Sequence, residues 1–182
     1  MWNRLKRRVR RLLGQGWGAD EFAVRYAAGR DDAWGYEGDP GHALRADRIL
    51  GAFGSHRPRR MLELGCAEGF LTGKLTGIAG EVVACDLSMQ AVERAQQRCR
   101  NAVNVQFECV DVRRQLPCGP FDACLASDVL YYLSPREIQG LANRLSERMP
   151  ADSILVLANE WNVAYTDLTS PTQDRKSTRL NS

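Results

Sequence analysis

Apolar and polar positions change their rhythm near residue 59, and the change divides the chain into two regions. Before it, apolar residues recur at helical spacing. Residues 20–30 (DEFAVRYAAGR) predict a short helix with Asp20 as its N-cap. Residues 42–53 predict a second helix, with Ala43, Leu44, Ile49, Leu50 and Phe53 on its apolar face. Between them, residues 31–41 (DDAWGYEGDPG) read as a turn-rich loop carrying Trp34 and Tyr36. After residue 59 short apolar runs alternate with amphipathic ones. Strands are predicted at 61–64, 81–86, 103–109, 121–126 and 153–158, and helices at 68–78, 89–101 and 135–148. Ser88 caps the second of these helices, and Ser134-Pro135 begins the third with a cap and a first-turn proline. Strands separated by helices in this way predict an α/β fold: a doubly wound, mostly parallel sheet that binds its ligand at the carboxyl ends of the strands.

Length and charge narrow the possibilities. The 182 residues suit one ordinary domain. No stretch approaches the roughly 18 uninterrupted apolar residues of a membrane span, and the basic N-terminus lacks the long apolar region of a secretory signal. Residues 1–14 carry six basic residues and no acid, whereas the remainder holds 19 basic against 22 acidic residues. That mildly acidic body argues against a nucleic-acid surface. With Trp2, Leu5, Val9, Leu12 and Leu13 at near-helical spacing, residues 1–14 can lie on an anionic membrane surface, or simply form a solvated terminal helix. The six cysteines show no metal-ligand spacing, so no metal is predicted. Several stand inside apolar runs, which fits reduced core cysteines and a cytoplasmic setting.

The chemistry concentrates at the predicted strand ends. In Leu62-Glu63-Leu64-Gly65-Cys66-Ala67-Glu68-Gly69-Phe70 the first strand passes into a helix. Gly65 permits a sharp turn, and the small residues Cys66, Ala67 and Gly69 allow a ligand close to the main chain. The following helix start offers free N–H groups. Asp86 ends the second strand, 21 residues after Gly65, close to the offset at which an acid meets a ribose diol in a βαβ nucleotide site. Asp111-Val112 follows the third strand, where a carboxylate can accept from an exocyclic amine. A dinucleotide fingerprint needs glycines at offsets 0, 2 and 5, but from Gly65 those positions hold Gly65, Ala67 and Phe70. A nicotinamide-dependent oxidoreductase is therefore the weaker reading.

ELGCAEG, CDLS, VDV and FDACLASDVLYYL together resemble the motifs of class I S-adenosylmethionine-dependent methyltransferases over about residues 40–160. Within that class, ASDVLYYL and the upstream DDAWGYEGDP resemble the nodulation protein S type, N-methyltransferases acting on chitooligosaccharide amines. The resemblance implies a Rossmann-like methyltransferase fold with S-adenosylmethionine as cofactor. It places Gly65, Cys66, Ala67 and Gly69 along the methionine and ribose, and Glu63 in support of that loop or at the methionine amine. It places Asp86 on the ribose hydroxyls, Leu87 beside the adenine, Asp111 and Val112 around the ring, and the Ala126-Ser127 backbone at the methionine end. The acceptor is expected to be a small molecule or sugar, by an amine nitrogen first and an oxygen second. Asp128, Tyr131 and Tyr132, just after the fourth strand, are the candidate catalytic residues. The alternatives for them are that the tyrosines pack under the next helix and Asp128 caps it. A fragment that binds cofactor without catalysis is the other functional reading.

The resulting organisation is a basic amphipathic segment at 1–14, a helical cap at 15–58, a cofactor-binding core at 59–160 and a tail at 161–182. Residues 174–182 (DRKSTRLNS) resemble a translated sequencing adapter. Family members carry two further strands after the fifth. Since nothing after about residue 160 reads as a strand, the sheet is expected to stop at the fifth, leaving 153–158 as an exposed apolar edge.

Overall fold

The structure, a computed structural model, describes residues 18–27, 32–159 and 162–167. The basic segment at 1–14 and the adapter-like residues 174–182 lie outside the described residues. Helices α1 (Ala19–Ala27) and α2 (Pro40–Gly51) precede the alternating part. There follow β1 (Arg60–Leu64), α3 (Phe70–Leu75), β2 (Glu81–Asp86), α4 (Met89–Arg98), β3 (Val105–Cys109), β4 (Ala123–Ser127), a 3-10 turn (Leu130–Tyr132), α5 (Pro135–Arg148), β5 (Ile154–Asn159) and β6 (Asn162–Asp167). The sheet order is β3-β2-β1-β4-β5-β6, and the first five strands run parallel. The chain winds outward in both directions from β1, so β1 and β4 flank the switch point where a crevice opens at the strand ends.

The strands read as continuous apolar runs because both faces of the sheet are covered. Met61, Val82, Ala84, Ala123, Leu125 and Val156 pack on one face with Ile49, Phe53, Leu75 and Ala95. Their neighbours Leu62, Leu64, Val83, Cys85, Cys124 and Ala126 pack on the other with Leu141 and Leu145 of α5. Cys85 and Cys124 are thus core residues.

Local chemistry fixes the helix starts. Ser134 accepts the Glu137 N–H while the Glu137 carboxylate returns to the Ser134 N–H, a reciprocal cap for α5. Ser88 accepts the Ala91 N–H at α4. Helix α2 begins at Pro40, two residues earlier than expected, because Asp39 caps it through the Gly41 N–H and a first-turn proline suits that position. Asp20 is not the cap of α1: it lies in the first turn, and Gly18 donates its N–H to the Glu21 carboxylate at 2.9 Å. Helix α3 starts at Phe70 rather than 68, since Ala67 (φ +48°) and Gly69 (φ +81°) hold the preceding residues in a turn.

The fifth strand is not the sheet edge. Residues 162–167, expected to belong to a tail, form β6 and pair antiparallel with all of β5, from Ile154 opposite Asp167 to Asn159 opposite Asn162. The run Asn-Val-Ala-Tyr-Thr-Asp contains β-branched and aromatic residues that suit a strand. Pairing also satisfies a backbone row that β5 would otherwise leave open.

Candidate functional site

At the carboxyl ends of the strands lies a cleft of about 710 Å³, open to solvent. Its floor is backbone. Gly65 and Cys66 donate their N–H groups to the Cys85 carbonyl at 2.8 and 3.0 Å, which folds the β1 loop over the end of β2. Gly65 sits at φ +73°, and a Cβ there would come within 3.3 Å of the Val129 side chain. Gly69 sits at φ +81° with Ala95 of α4 so close that a Cβ would meet its Cα and Cβ at 3.0 Å. Glycine is required at both positions for conformation as well as space.

Asp86 stands at the end of β2, 8% exposed, and lines the cleft. Its carboxylate accepts the Ala67 N–H at 3.0 Å and the Ser88 N–H at 2.9 Å, so it ties the glycine loop to the start of α4. Burial pushes its pKa up, against the pull of those donors. Leu87, Asp111 and Val112 line the same cleft, with Gly65, Ala67 and Ser127. Glu63, Cys66, Gly69 and Ala126 do not; they form the layer behind it. Glu63 is 2% exposed and takes the Thr72 hydroxyl at 2.6 Å. Burial raises its carboxyl to about 7.

The Asp111 carboxylate already has a partner. Arg113 grips it with Nε at 2.7 Å and a terminal nitrogen at 2.8 Å, and its own N–H adds a third bond at 3.0 Å. Burial would raise Asp111, but these bonds and the charges of Arg113 and Arg114 hold it below the ordinary range. Its lone pairs suffice for one further donor.

Asp128, Tyr131 and Tyr132 all line the opposite wall. Asp128 adopts φ +56°, a left-handed backbone that aspartate tolerates better than most side chains but that still carries strain. Arg45 of α2 pairs with its carboxylate at 2.6 Å and reaches Ser127 Oγ at 3.2 Å. Asp128 does not cap α5; Ser134 does. Tyr132 meets Phe22 edge-on at 5.0 Å and lies against Tyr131 at 4.4 Å. Burial pushes the phenols of Tyr131 and Tyr36 up, so both hydroxyls remain protonated.

The roof comes from the N-terminal region. Phe22, Tyr26, Trp34 and Tyr36 line the cleft. The Trp34 indole N–H donates to the Tyr26 hydroxyl at 2.9 Å, and Tyr36 stacks on Phe70 at 5.5 Å. One buried carboxylate fastens this roof to the core. Glu68, 1% exposed, accepts the Ala33 N–H at 2.8 Å and pairs with Arg94 of α4 at 2.7 Å, while Arg94 also donates to the Tyr26 carbonyl at 2.8 Å. Sequence reasoning placed Trp34 and Tyr36 on the loop before the core but missed Phe22, Tyr26, Arg45, Glu68 and Arg94. The only available signal was the i, i+4 spacing of Phe22 and Tyr26, which puts two aromatics on one helix face.

Residues 61–149, the segment that supplies the strand ends and the glycine loop, match the family described as a methyltransferase domain. That segment, a little under half of the chain, is similar to a methyltransferase domain. Phosphoethanolamine N-methyltransferase 1 of Arabidopsis thaliana is 30% identical to this chain over 100 residues, which is 53% of the chain and 20% of that protein. Nodulation protein S of Rhizobium tropici is 29% identical over 104 residues, 57% of the chain and 44% of that protein. The chain thus spans less than half the length of either relative. The crystal structure of the N-methyltransferase NodS from Bradyrhizobium japonicum WM9 in complex with S-adenosyl-L-homocysteine superposes with a TM-score of 0.70 at 23% identity, over 76% of this chain and 71% of that one. That likeness establishes the shared fold. Among the described residues no helix is long and apolar enough to cross a membrane.

Proposed function

We propose that this chain is a methyltransferase that binds S-adenosylmethionine in the cleft and transfers its methyl group to an amine nitrogen on a small molecule or sugar. The observation that carries the reading is the convergence on one cleft of Asp86, the Gly65–Ala67 loop and Asp111 on one wall with Asp128, Tyr131 and Tyr132 on the other. The residues fit the cofactor: a buried carboxylate at a strand end suits a diol, a left-handed glycine loop suits close approach, and Leu87 and Val112 offer apolar contact to a base. In this reading residues 15–58 form a cap and the sheet with its helices forms the cofactor core.

Bound there, the cofactor supplies a methyl group already activated on a sulfonium. The chain's own residues do the rest. Asp86 accepts from the ribose hydroxyls, while Asp111 and Val112 hold the adenine. Gly65 and Ala67 line the methionine and ribose channel, with Cys66 and Gly69 setting the shape of that loop from behind. Glu63 supports that loop from behind, and the Ala126-Ser127 backbone meets the methionine end. Alkylating an amine moves positive charge onto nitrogen. A carboxylate fixed beside the acceptor stabilises that charge, the task we assign to Asp128 in the grip of Arg45. Tyr131 and Tyr132 act as hydrogen-bond partners that orient the acceptor. The aromatic roof excludes water. The N-methyltransferase names of the Arabidopsis relative and of the NodS crystal structure support the choice of nitrogen.

Calorimetric titration with S-adenosylmethionine and, separately, NADH tests the cofactor. The expected outcome is binding of the first alone, weakened at least about a hundredfold in Asp86→Ala, the worth of two charge-assisted hydrogen bonds. Binding of NADH alone would overturn the reading. Transfer of labelled methyl to phosphoethanolamine and glucosamine oligomers, with hydroxyl and carboxyl analogues in parallel, tests the acceptor atom.

A further inference from the structure

Helix α5 carries a glycine that the fold does not otherwise explain. Gly140 stands in the helix interior, where glycine costs roughly 1 kcal/mol relative to alanine. What occupies the space beside it is the guanidinium of Arg144, one turn later: a Cβ on Gly140 would stand 3.3 Å from one terminal nitrogen and 3.8 Å from the other. That guanidinium folds back along the helix and donates to two consecutive main-chain carbonyls, Val112 and Arg113, each at 2.9 Å. These carbonyls belong to the turn after β3, which presents Asp111 and Val112 to the cleft.

Just before the turn, Val110 donates its N–H to the Asp86 carbonyl at 2.8 Å, and residues 111–115 are bonded to one another. The Asp111 carbonyl takes the N–H groups of Arg114 and Gln115 at 2.9 and 3.1 Å, and the Asp111 carboxylate takes Arg113. The Val110 bond and the burial of Val110 and Val112 hold the start of the turn against the sheet, and the internal bonds fix its shape. Arg144 supplies a polar tie from a separate, core-anchored element, with Leu141 and Leu145 of the same helix buried under the sheet.

We propose that Arg144, given room by Gly140, is a positioning residue for base recognition: it sets where the Asp111 carboxylate and the Val112 backbone stand relative to Asp86. The inference rests on the cofactor reading above and adds the residue that makes the site selective for an amino-substituted purine. Moving the turn misplaces an acceptor meant for an exocyclic amine, so selectivity falls more than affinity for the rest of the ligand.

The test is calorimetric binding of S-adenosylhomocysteine and of S-inosylhomocysteine, which carries a carbonyl oxygen in place of the exocyclic amine, to the full chain and three variants. The unmodified chain is expected to prefer the adenosyl ligand at least tenfold. Arg144→Gln should cut that preference to threefold or less, Gly140→Ala should lower it by a smaller factor, and Arg144→Lys should restore part of it, because an ammonium can still bridge two carbonyls. Thermal melts identify the variants that fold, and the lysine variant keeps the test open should the glutamine one not. Equal weakening of both ligands with the preference intact would show a purely structural role and overturn the proposal. If the unmodified chain binds neither ligand, the cofactor reading itself fails and the inference falls with it. A normal preference in the unmodified chain that survives in every folded variant sinks the inference alone.

Discussion

The floor and the roof of the cleft are built on opposite plans. The floor is main chain: two glycines in left-handed conformations, N–H groups folded onto a carbonyl, and a strand-end carboxylate taking two more N–H groups. The roof is side chain: Glu68 to Arg94, Arg45 to Asp128, Trp34 to Tyr26. Main-chain construction demands particular residues at particular spacings, whereas side-chain construction accepts any pair that reaches. One half of the site therefore leaves a motif and the other does not.

Three substitutions would break or sharpen that contrast. The largest effect belongs to Gly69→Ala. A left-handed backbone and a Cβ 3.0 Å from Ala95 leave no room for relief in the floor. A loss of about 3 kcal/mol is expected in denaturant unfolding, combining the left-handed penalty with overpacking. Near-neutral stability would mean that the floor yields as easily as the roof.

Next is Glu63→Gln, behind the floor. Burial raises the Glu63 carboxyl to about 7 in the folded chain, above its ordinary 4.5. The unfolded chain therefore ionises first as pH rises, and stability falls across that window, reaching its lower plateau above pH 7. The neutral amide keeps an acceptor for Thr72 and escapes the titration. Unfolding measured from pH 4 to 8 should show the variant more stable at pH 8 by on the order of 2 kcal/mol, with a flatter profile. A parallel pair of profiles would refute the assignment.

The smallest effect, and the most local, is expected from Glu68→Gln. The amide keeps an acceptor for the Ala33 N–H but loses the charge that holds Arg94. About 1 kcal/mol should go, concentrated in the roof. Hydrogen exchange should accelerate in α1 while protection in β1, β2 and β4 stays unchanged. Uniform acceleration would show that roof and core open as one unit.

The same contrast explains what the sequence made legible. Strand alternation, the switch point and the turn at Gly65 followed from spacing, because burial on two faces and a positive φ restrict which residues can stand there. Asp86 was found by its offset. Arg45, Glu68 and Arg94 were not, since their partners lie 83, 35 and 26 positions away at Asp128, Ala33 and Glu68, and no local pattern links such pairs. The sixth strand was missed for a related reason. Its pairing partner is β5, and Asn162–Asp167 becomes a strand only against an edge that already exists.

Trp34 gives the cleft a built-in optical reporter. Its ring faces the ligand space, its indole N–H is held by the Tyr26 hydroxyl, and the Arg25 guanidinium lies 4.7 Å over its face. Emission from an indole responds to the polarity around it and to a nearby cation. Any molecule that enters beneath the roof alters the first and can shift the second. The difference between the unmodified chain and Trp34→Phe isolates that signal from the other three tryptophans. Occupancy of the site can then be followed in real time without a label and before any acceptor is known.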